Sequence, residues 1–247
     1  MTMTIKVDNT HKLTKDRFWF KELKLQPGLN FLFGGNGAGK TSTFKLILSR
    51  VRSGWNYYNE FQKLPAEGLS ISIDGKPFTG QVCSFSNSEN NVMRQSDDDF
   101  SFDAYSIVRK QQGFSWSEGM NVSVAVHDFL YALEHNFEDG SLVLVDEIDS
   151  GLDAHSCSII RKAILRILKK KPNMYVLLAF NQYEMVRGCK SWINIYTDAC
   201  ENIPKTYEEY FKVLCECKKE HRRIGDELAW GESEEKYHRN QRKIGNE

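Results

Sequence analysis

The most constraining feature of this chain is a glycine-rich stretch, Gly34–Thr41, which fits the pattern G-x-x-x-x-G-K-[ST] at each fixed position. A glycine-rich turn lets successive backbone N–H groups close around phosphate oxygens with no Cβ in the way. Lys40 would then reach the β and γ phosphates, and the Thr41 hydroxyl would ligate Mg²⁺. We therefore expect this stretch to bind a nucleoside triphosphate. The residues expected at the phosphates are Gly34, Asn36, Gly37, Ala38, Gly39, Lys40, Thr41 and Ser42.

The residues on either side supply the context that this motif requires. Leu29–Phe33 is apolar and predicts a buried strand, and Thr41–Val51 carries an apolar face at helical spacing. The N-terminal end of a helix is positively polarised and favours phosphate. A glycine-rich turn without function would need neither neighbour, so we disfavour that alternative.

A second motif lies about a hundred residues further along the chain. Ser141–Val145 is an apolar run of strand length, and it ends in Asp146 and Glu147. In P-loop enzymes a carboxylate at the end of such a strand holds Mg²⁺. We therefore predict Asp146 as a metal ligand and Glu147 as the catalytic residue that polarises the attacking water. The alternative, that two acidic residues merely end a strand, is weakened by the Ser-Gly-Leu-Asp sequence that ends at Asp153.

Taken in order, these motifs resemble those of ATP-binding-cassette (ABC) ATPases: a phosphate loop, a signature, an Asp-Glu strand and a loop with Asp153. Trp116–Met120 stands where the family has Leu-Ser-Gly-Gly-Gln, and it keeps Ser117 and Gly119. The resemblance implies that Ser117 and Gly119 bind ATP held by a second subunit, and that Asp153 belongs to the nucleotide site. Taken alone, Ser117 would be only a helix N-cap.

Two departures from the family pattern affect the expected activity. After the apolar run 174–179 the family usually has a histidine that senses the γ-phosphate, whereas this chain has Asn181 or Gln182 there. An amide donates a hydrogen bond but carries no charge or proton, so we predict slow hydrolysis with Asn181 as the catalytic position. The family's glutamine loop has no clear counterpart. Gln95 is the nearest glutamine after Phe85, and an ordinary surface glutamine is the alternative.

The resemblance implies an α/β fold, an ABC-type P-loop NTPase head with a RecA-like core sheet, an antiparallel β subdomain and a helical lobe. We assign residues 1–200 to this head, with the helical lobe at 95–140. Apolar residues in 201–230 recur at steps of three and four, which predicts an amphipathic C-terminal helix that packs on the head or on a partner. The charged segment 231–247 predicts a disordered tail.

Composition narrows the class of protein. The 247 residues include 33 basic and 33 acidic side chains, so no overall positive field indicates nucleic-acid binding. No apolar run approaches the roughly 20 residues of a membrane span. The N-terminus lacks the pattern of a signal peptide. The six cysteines contain no C-x-x-C pair and are expected to be reduced. We expect a cytoplasmic protein.

Three features favour the soluble ABC machines, such as SMC-like, RecF-like and phage-defence ATPases, over transporter subunits. The acidic strand continues as Asp-Glu-Ile-Asp rather than Asp-Glu-Pro-Thr, Glu118 precedes the second signature glycine, and the switch histidine is missing. In the other direction, the Ser-Gly-Leu-Asp sequence and the hairpin at 72–76 are common in transporter subunits. No coiled-coil insertion lies between Lys40 and Ser117, so we do not expect a long-armed SMC protein.

We therefore predict a soluble ABC-type ATPase that binds and hydrolyses Mg-ATP and acts in DNA metabolism, repair or phage-related defence. Its expected partners are a second copy on ATP binding or a protein such as a nuclease, with DNA as a further partner. The alternative is the nucleotide-binding ATPase subunit of an ABC transporter. A monomeric P-loop kinase is disfavoured, because it would need neither the signature nor Asp153.

Overall fold

A computed structural model describes residues 1–7, 22–34, 39–51, 69–87, 117–187, 189, 191–195, 200–201, 205–213 and 215. Its strands and helices, in chain order, are β1 Met3–Val7, β2 Glu22–Leu25, β3 Gly28–Phe33, α1 Lys40–Val51, β4 Leu69–Ile73, β5 Lys76–Pro77, β6 Val82–Ser86, α2 Glu118–His135, β7 Leu142–Asp146, α3 Ala154–Lys170, β8 Tyr175–Ala179, α4 Tyr183–Val186, β9 Ser191–Asn194 and β10 Cys200–Glu201.

The core of the protein is a six-stranded sheet with the strand order β10-β9-β3-β8-β7-β6. All neighbours pair in parallel except β10, which runs antiparallel to β9. Every residue of β3, β7 and β8 is buried, so burial along these strands is continuous rather than alternating. That pattern is typical of parallel strands covered on both faces. Helix α1 packs against β6 and β7, and α3 packs against β3.

A second sheet is antiparallel and has the order β2-β1-β4-β5. Strands β4 and β5 form a hairpin in which Ile73 pairs with Lys76. The two connecting residues, Asp74 and Gly75, both have positive φ, of 46° and 82°. This conformation is the one that Asp-Gly favours in two-residue hairpins. The predicted α/β fold with a core sheet and an antiparallel β subdomain is confirmed.

A buried amide lies inside the core sheet at Asn30, which is fully shielded from solvent. Its Nδ2 donates to the carbonyl oxygens of Gln26, Gly28 and Val176, and its Oδ1 accepts from the Gln26 backbone and the Ser191 hydroxyl. Because the donor and the acceptor are both satisfied, this polar side chain links β3 to β8 and to the first residue of β9.

The chain divides into two compact units. One consists of Met1–Phe33 with Gly39–Ile203, and the other of Gly34–Ala38 with Pro204–Glu247. In the second unit residues 207–213 are helical, Tyr210 is buried, and the rings of Tyr207 and Phe211 stack 6.3 Å apart. The amphipathic helix at 201–230 stays a prediction; within that range Glu201 belongs to β10, and the described helical residues are 207–213 and 215. The predicted tail 231–247 lies outside the described residues.

In the part of the chain that the structure describes, no helix combines the length and the apolar character needed to cross a membrane.

Candidate active site

The candidate site lies at the carboxyl edge of the core sheet. Because β6, β7 and β8 run in parallel, their carboxyl ends meet at one edge, which is where open α/β sheets bind ligands. Asp146, the last residue of β7, is level with Ser86 on one side and with Ala179 on the other. The sheet thus brings the predicted acidic residues and the predicted switch segment together.

Helix α1 reaches this edge through Thr41. The Thr41 hydroxyl donates a hydrogen bond to Oδ2 of Asp146 over 2.6 Å. Burial raises the pKa of Asp146 to about 6, and the nearby charge of Glu147 adds to the effect. The Thr41 hydrogen bond and the cations of Lys40 and Lys45 act in the opposite direction. The two predicted metal ligands are therefore in direct contact.

The second oxygen of Asp146, Oδ1, is buried and has no hydrogen-bond partner. An unpaired buried carboxylate oxygen is unfavourable, and a cation removes that penalty. Mg²⁺ prefers oxygen ligands and is usually held by one or two carboxylates together with water and phosphate. Among the described residues, no group of three or more His, Cys, Asp or Glu could hold a metal by itself. Asp146 and Thr41 thus fit Mg²⁺ held jointly with a phosphate-bearing ligand.

The phosphate loop is described only at its ends. Gly39 has a φ of +88°, a conformation that side chains disfavour, although an added Cβ would meet no atom within 4 Å. The Gly39 carbonyl accepts the Thr43 amide at 2.8 Å, so α1 starts immediately after this turn with Lys40 as its first residue. Ser42 is half-buried on that first turn. Asn36, Gly37 and Ala38 lie outside the described residues, and their phosphate contacts stay predictions, as does that of Gly34.

Glu147, the predicted catalytic residue, follows β7 with an exposed side chain and a φ of +50°. Its backbone amide donates to the Ala179 carbonyl over 2.9 Å, which fixes the turn against the end of β8. The left-handed conformation costs a non-glycine residue roughly 1–2 kcal/mol. Such backbone strain is concentrated at functional sites. The catalytic role of Glu147 stays a prediction, and its position at the sheet edge is the one that role needs.

The signature residues open helix α2. Ser117 is its N-cap, and the exposed Ser117 Oγ accepts from the Met120 amide at 3.4 Å. Gly119 lies against the turn after β7, because a Cβ added to Gly119 would come within 3.3 Å of the Gly151 carbonyl oxygen. The absence of a side chain therefore allows the start of α2 to approach that turn closely.

Asp153 lies at the end of the same turn and is the N-cap of α3. Its Oδ1 accepts from the Ser156 amide over 2.7 Å, and this hydrogen bond is the largest reason why the pKa of Asp153 is lowered. Asp153 therefore has a definite structural role as a helix cap. Contact of Ser117, Gly119 and Asp153 with a nucleotide stays a prediction.

The two amides of the switch segment differ in their environment. Asn181 is exposed, whereas Gln182 is half-buried and its Nε2 donates to the Leu152 carbonyl over 2.6 Å. The Gln182 amide therefore points toward the turn after β7. Of the two residues that can replace the family's histidine, Asn181 is the one with an exposed side chain.

Sequence reasoning missed Asp149, which is only 3% exposed. Its Oδ2 accepts two backbone hydrogen bonds, from Asn181 at 2.8 Å and from Gln182 at 2.7 Å. Burial raises the pKa of Asp149, and these two bonds oppose the rise. The residue was visible in the Asp-Glu-Ile-Asp sequence, but nothing in that sequence indicates that its carboxylate turns inward.

Asn87 was missed as well. It follows β6 directly, one residue beyond the position level with Asp146, and is fully buried. Neither its amide nitrogen nor its amide oxygen has a hydrogen-bond partner. The signal that could have identified Asn87 in the sequence was its position immediately after β6, at the carboxyl edge of the sheet. Gln95, the earlier candidate for the glutamine loop, lies outside the described residues.

No model of a known protein family matches the chain, and no curated protein does either. Among solved structures, it is similar to MJ1267, an ATP-binding cassette of an ABC transporter in its ADP conformation. The TM-score is 0.51 at 13% identity, over 91% of this chain and 98% of that one.

Two further solved structures resemble the chain. One is cbiO1 from Clostridium perfringens, part of the ABC transporter complex cbiONQ, with a TM-score of 0.48, 15% identity and coverage of 92% and 98%. The other is Stu0660 of Streptococcus thermophilus, with a TM-score of 0.47, 11% identity and coverage of 83% and 76%. The likeness to MJ1267 concerns the fold alone. The chain has the fold of an ABC-class P-loop ATPase.

Proposed function

We propose that this protein binds and hydrolyses Mg-ATP. The observation that carries the proposal is the contact between Thr41 and Asp146, since it joins the end of the phosphate motif to the end of the acidic strand. The buried, unpartnered Oδ1 of Asp146 supplies a site that a cation would complete. The fold and the ordered set of motifs support the same conclusion.

The position of each residue indicates its role in this reaction. Lys40, on the first turn of α1, would offset the charge of the β and γ phosphates. Thr41 and Asp146 would hold Mg²⁺, which when bound neutralises charge on the phosphate oxygens. Glu147, directly after Asp146, would orient the attacking water and accept its proton. Asn181 would donate an amide hydrogen bond to the γ-phosphate, and because it carries no charge we expect slow turnover.

ATP-driven dimerisation is the second part of the proposal. The start of α2 and the turn after β7 lie together, since a Cβ added to Gly119 would come within 3.3 Å of the Gly151 carbonyl oxygen. Ser117, Gly119 and Asp153 would form one surface toward the nucleotide of a second subunit, either another copy or a partner protein. Free N–H groups at the start of α2 favour an anion there.

For the cellular role we propose a soluble machine in DNA metabolism, repair or phage-related defence, with a nuclease or DNA as partner. The support is the Asp-Glu-Ile-Asp sequence together with the absence of a switch histidine at Asn181. The second candidate is a transporter ATPase subunit, which the β4–β5 hairpin with Asp74 and Gly75 favours. Purification from the native host separates the two. Co-purified DNA or a nuclease supports the first role, and a membrane permease supports the second.

Nucleotide binding is tested with Lys40→Ala and a fluorescent ATP analogue, with and without Mg²⁺. Removing the Lys40 cation should abolish binding, because the positive charge placed to reach the β and γ phosphates is then lost. Lys24→Ala is the matched control, since Lys24 is exposed on β2 and pairs with Glu22. If Lys40→Ala binds the analogue as the unaltered protein does, the assignment of the phosphate loop is wrong.

A further inference from the structure

The buried carboxylate of Asp149 joins two segments that are about thirty residues apart in sequence. Through Oδ2 it accepts the backbone amides of Asn181 and Gln182, which form the turn between β8 and α4. Through its own carbonyl it accepts the Leu152 amide at 3.2 Å. Asp149 thus belongs to the turn after β7 and at the same time fixes the backbone of the switch segment.

A second bond joins the same two segments. The Gln182 side chain donates to the Leu152 carbonyl over 2.6 Å. Leu152 and Ile148 are buried and anchor the turn after β7 to the core. The two segments are therefore held by an inward carboxylate on one side and by an amide on the other. We call this pair of contacts the Asp149–Gln182 bracket.

The turn that the bracket holds also lies close to α2, the helix that begins at the signature. Gly151 lies inside the turn that the bracket holds, and its carbonyl oxygen is the atom that Gly119 approaches. Movement of Asn181 therefore has a contiguous route to the start of α2, through Asp149, the turn and Gly151. Every step of this route is a contact within one compact unit.

Stability alone does not account for a carboxylate at this position. Asp149 Oδ1 is buried without a hydrogen-bond partner, which is unfavourable in the folded state. A threonine or serine hydroxyl could accept from the same turn without bringing a charge into the interior. What the carboxylate adds is negative charge, which strengthens the two bonds that Oδ2 accepts from consecutive amides and so fixes the direction of the turn.

We propose that Asp149 is a positioning residue that aims Asn181 at the γ-phosphate and couples it to the surface facing a second subunit. This rests on the proposed function. Release or loss of the γ-phosphate at one site would shift the turn at Ser150–Asp153, and with it the contact to the neighbouring nucleotide. Asp149 is buried and would act through the segments that it holds.

The kinetic test is a double-mutant cycle with Asp149→Ala and Asn181→Ala, measured as steady-state phosphate release. Each single change should lower kcat about tenfold with KM within about twofold, and the double variant should be no slower than the slower single one. Losses that multiply in the double variant, or an unchanged kcat in Asp149→Ala, would overturn the proposal. If the unaltered protein neither binds nor hydrolyses ATP, the proposed function fails instead.

Amide hydrogen exchange tests the bracket without any turnover. In the nucleotide-free protein the Asn181 and Gln182 amides should exchange about tenfold faster in Asp149→Ala than in the unaltered chain. Asp149→Asn keeps an acceptor oxygen, so its exchange at these amides should stay near that of the unaltered chain. Exchange at Asn181 and Gln182 that Asp149→Ala leaves unchanged contradicts the bracket.

Gln182→Ala keeps the buried carboxylate and serves if Asp149→Ala fails to fold. It removes only the bond to the Leu152 carbonyl, so exchange in the turn Ser150–Asp153 should accelerate while the Asn181 amide stays protected. When ATP analogue binds, the unaltered chain and Gln182→Ala should both gain protection in both segments, because Asp149 still joins them. A turn that gains protection in the unaltered chain but not in Gln182→Ala would show that Gln182 rather than Asp149 carries the coupling, which overturns the proposal.

Discussion

Thr41 and Asp146 are joined by a 2.6 Å hydrogen bond from the Thr41 hydroxyl to Oδ2, while Oδ1 of the same carboxylate is buried without a partner. A single hydroxyl cannot compensate a charge that is removed from water. Burial accordingly raises the pKa of Asp146 to about 6. The carboxylate is thus unfavourable for the unliganded fold and well suited to a cation.

The first prediction concerns Asp146→Asn and pH. The pKa of Asp146 in the folded state is about 6, above the ordinary 3.8, so between these values the folded chain binds more protons than the unfolded one. Its contribution to stability therefore decreases as pH rises from about 4 to about 6, and then stays constant. At pH 7.5 and without Mg²⁺, we expect Asp146→Asn to raise the free energy of unfolding by about 1–3 kcal/mol.

Urea unfolding of both proteins between about pH 4 and pH 8 measures this difference. The difference in unfolding free energy should shrink as pH falls toward 4, because the Asp146 carboxyl is then protonated in the folded state and no longer buries a charge. Asp128→Asn, which changes an exposed carboxylate on α2, should show no such trend. If the difference in unfolding free energy between Asp146→Asn and the unaltered protein does not depend on pH, burial does not disfavour the charge of Asp146.

The second prediction concerns the end of α2, the helix that begins at the signature. Lys171 Nζ donates to the carbonyl oxygens of Leu133 at 2.8 Å and Glu134 at 2.7 Å, and also to that of Phe137. Lys171→Met keeps the alkyl chain but leaves these carbonyls without the cation. The free energy of unfolding should fall by about 1–3 kcal/mol, because hydrogen bonds from a charged donor are lost.

The neighbouring lysine is the control for this change. Lys170 pairs with the Glu134 carboxylate at the surface, where its side chain is 60% exposed. Exposed ion pairs contribute at most about 1 kcal/mol, so Lys170→Met should change the urea midpoint much less. Equal losses in the two variants would show that the Lys171 bonds do not stabilise α2.

The fold was predictable where a local pattern repeats a simple rule. Strand β7 is a run of apolar residues ending in Asp146, and the turn Asp74-Gly75 has the residues that its backbone demands. Helix α3 shows its buried face at regular helical spacing. Each of these signals is contained in a few consecutive residues, and for this reason the sequence predicts them.

The rest depends on contacts between distant residues. Nothing in the sequence indicates that Asn30 bonds across β3, β8 and Ser191, or that Asp149 turns inward to the Asn181 amide. The buried amide of Asn87 is likewise a consequence of how β6 lies beside β7. Burial of polar groups is decided by tertiary packing, and one sequence does not show it.

The third prediction concerns the switch position. Asn181→His should raise ATP turnover, because a protonated imidazole can add positive charge to the γ-phosphate contact that an amide lacks. Binding of ATP should be unchanged. Steady-state phosphate release at saturating ATP is the measurement.

Gln182→His tests whether Gln182, rather than Asn181, takes the place of the family's histidine. The Gln182 side chain donates to the Leu152 carbonyl, so its replacement should break that bond and not raise turnover. A drop in turnover of folded Asn181→His would show that the Asn181 amide makes a contact that imidazole cannot replace, or that the alignment with the family's histidine is displaced by a residue.

The last prediction concerns assembly and begins at Glu147. Glu147→Gln should keep the contact between Thr41 and Asp146 and remove the carboxylate that accepts the water proton. Hydrolysis then stalls with ATP bound, so closed dimers should accumulate. Light scattering behind a sizing column, with and without Mg-ATP, measures the molecular mass.

Adding Ser117→Arg to Glu147→Gln should return the protein to monomer, since Ser117 is an exposed cap that would face the partner's γ-phosphate. His127→Arg is the control, because it places an arginine on the same helix at a position where the side chain is 79% exposed. This change should leave the dimer intact. If Glu147→Gln stays monomeric at micromolar concentration with ATP bound, the homodimer is refuted. That outcome would point to a partner protein that supplies the second signature.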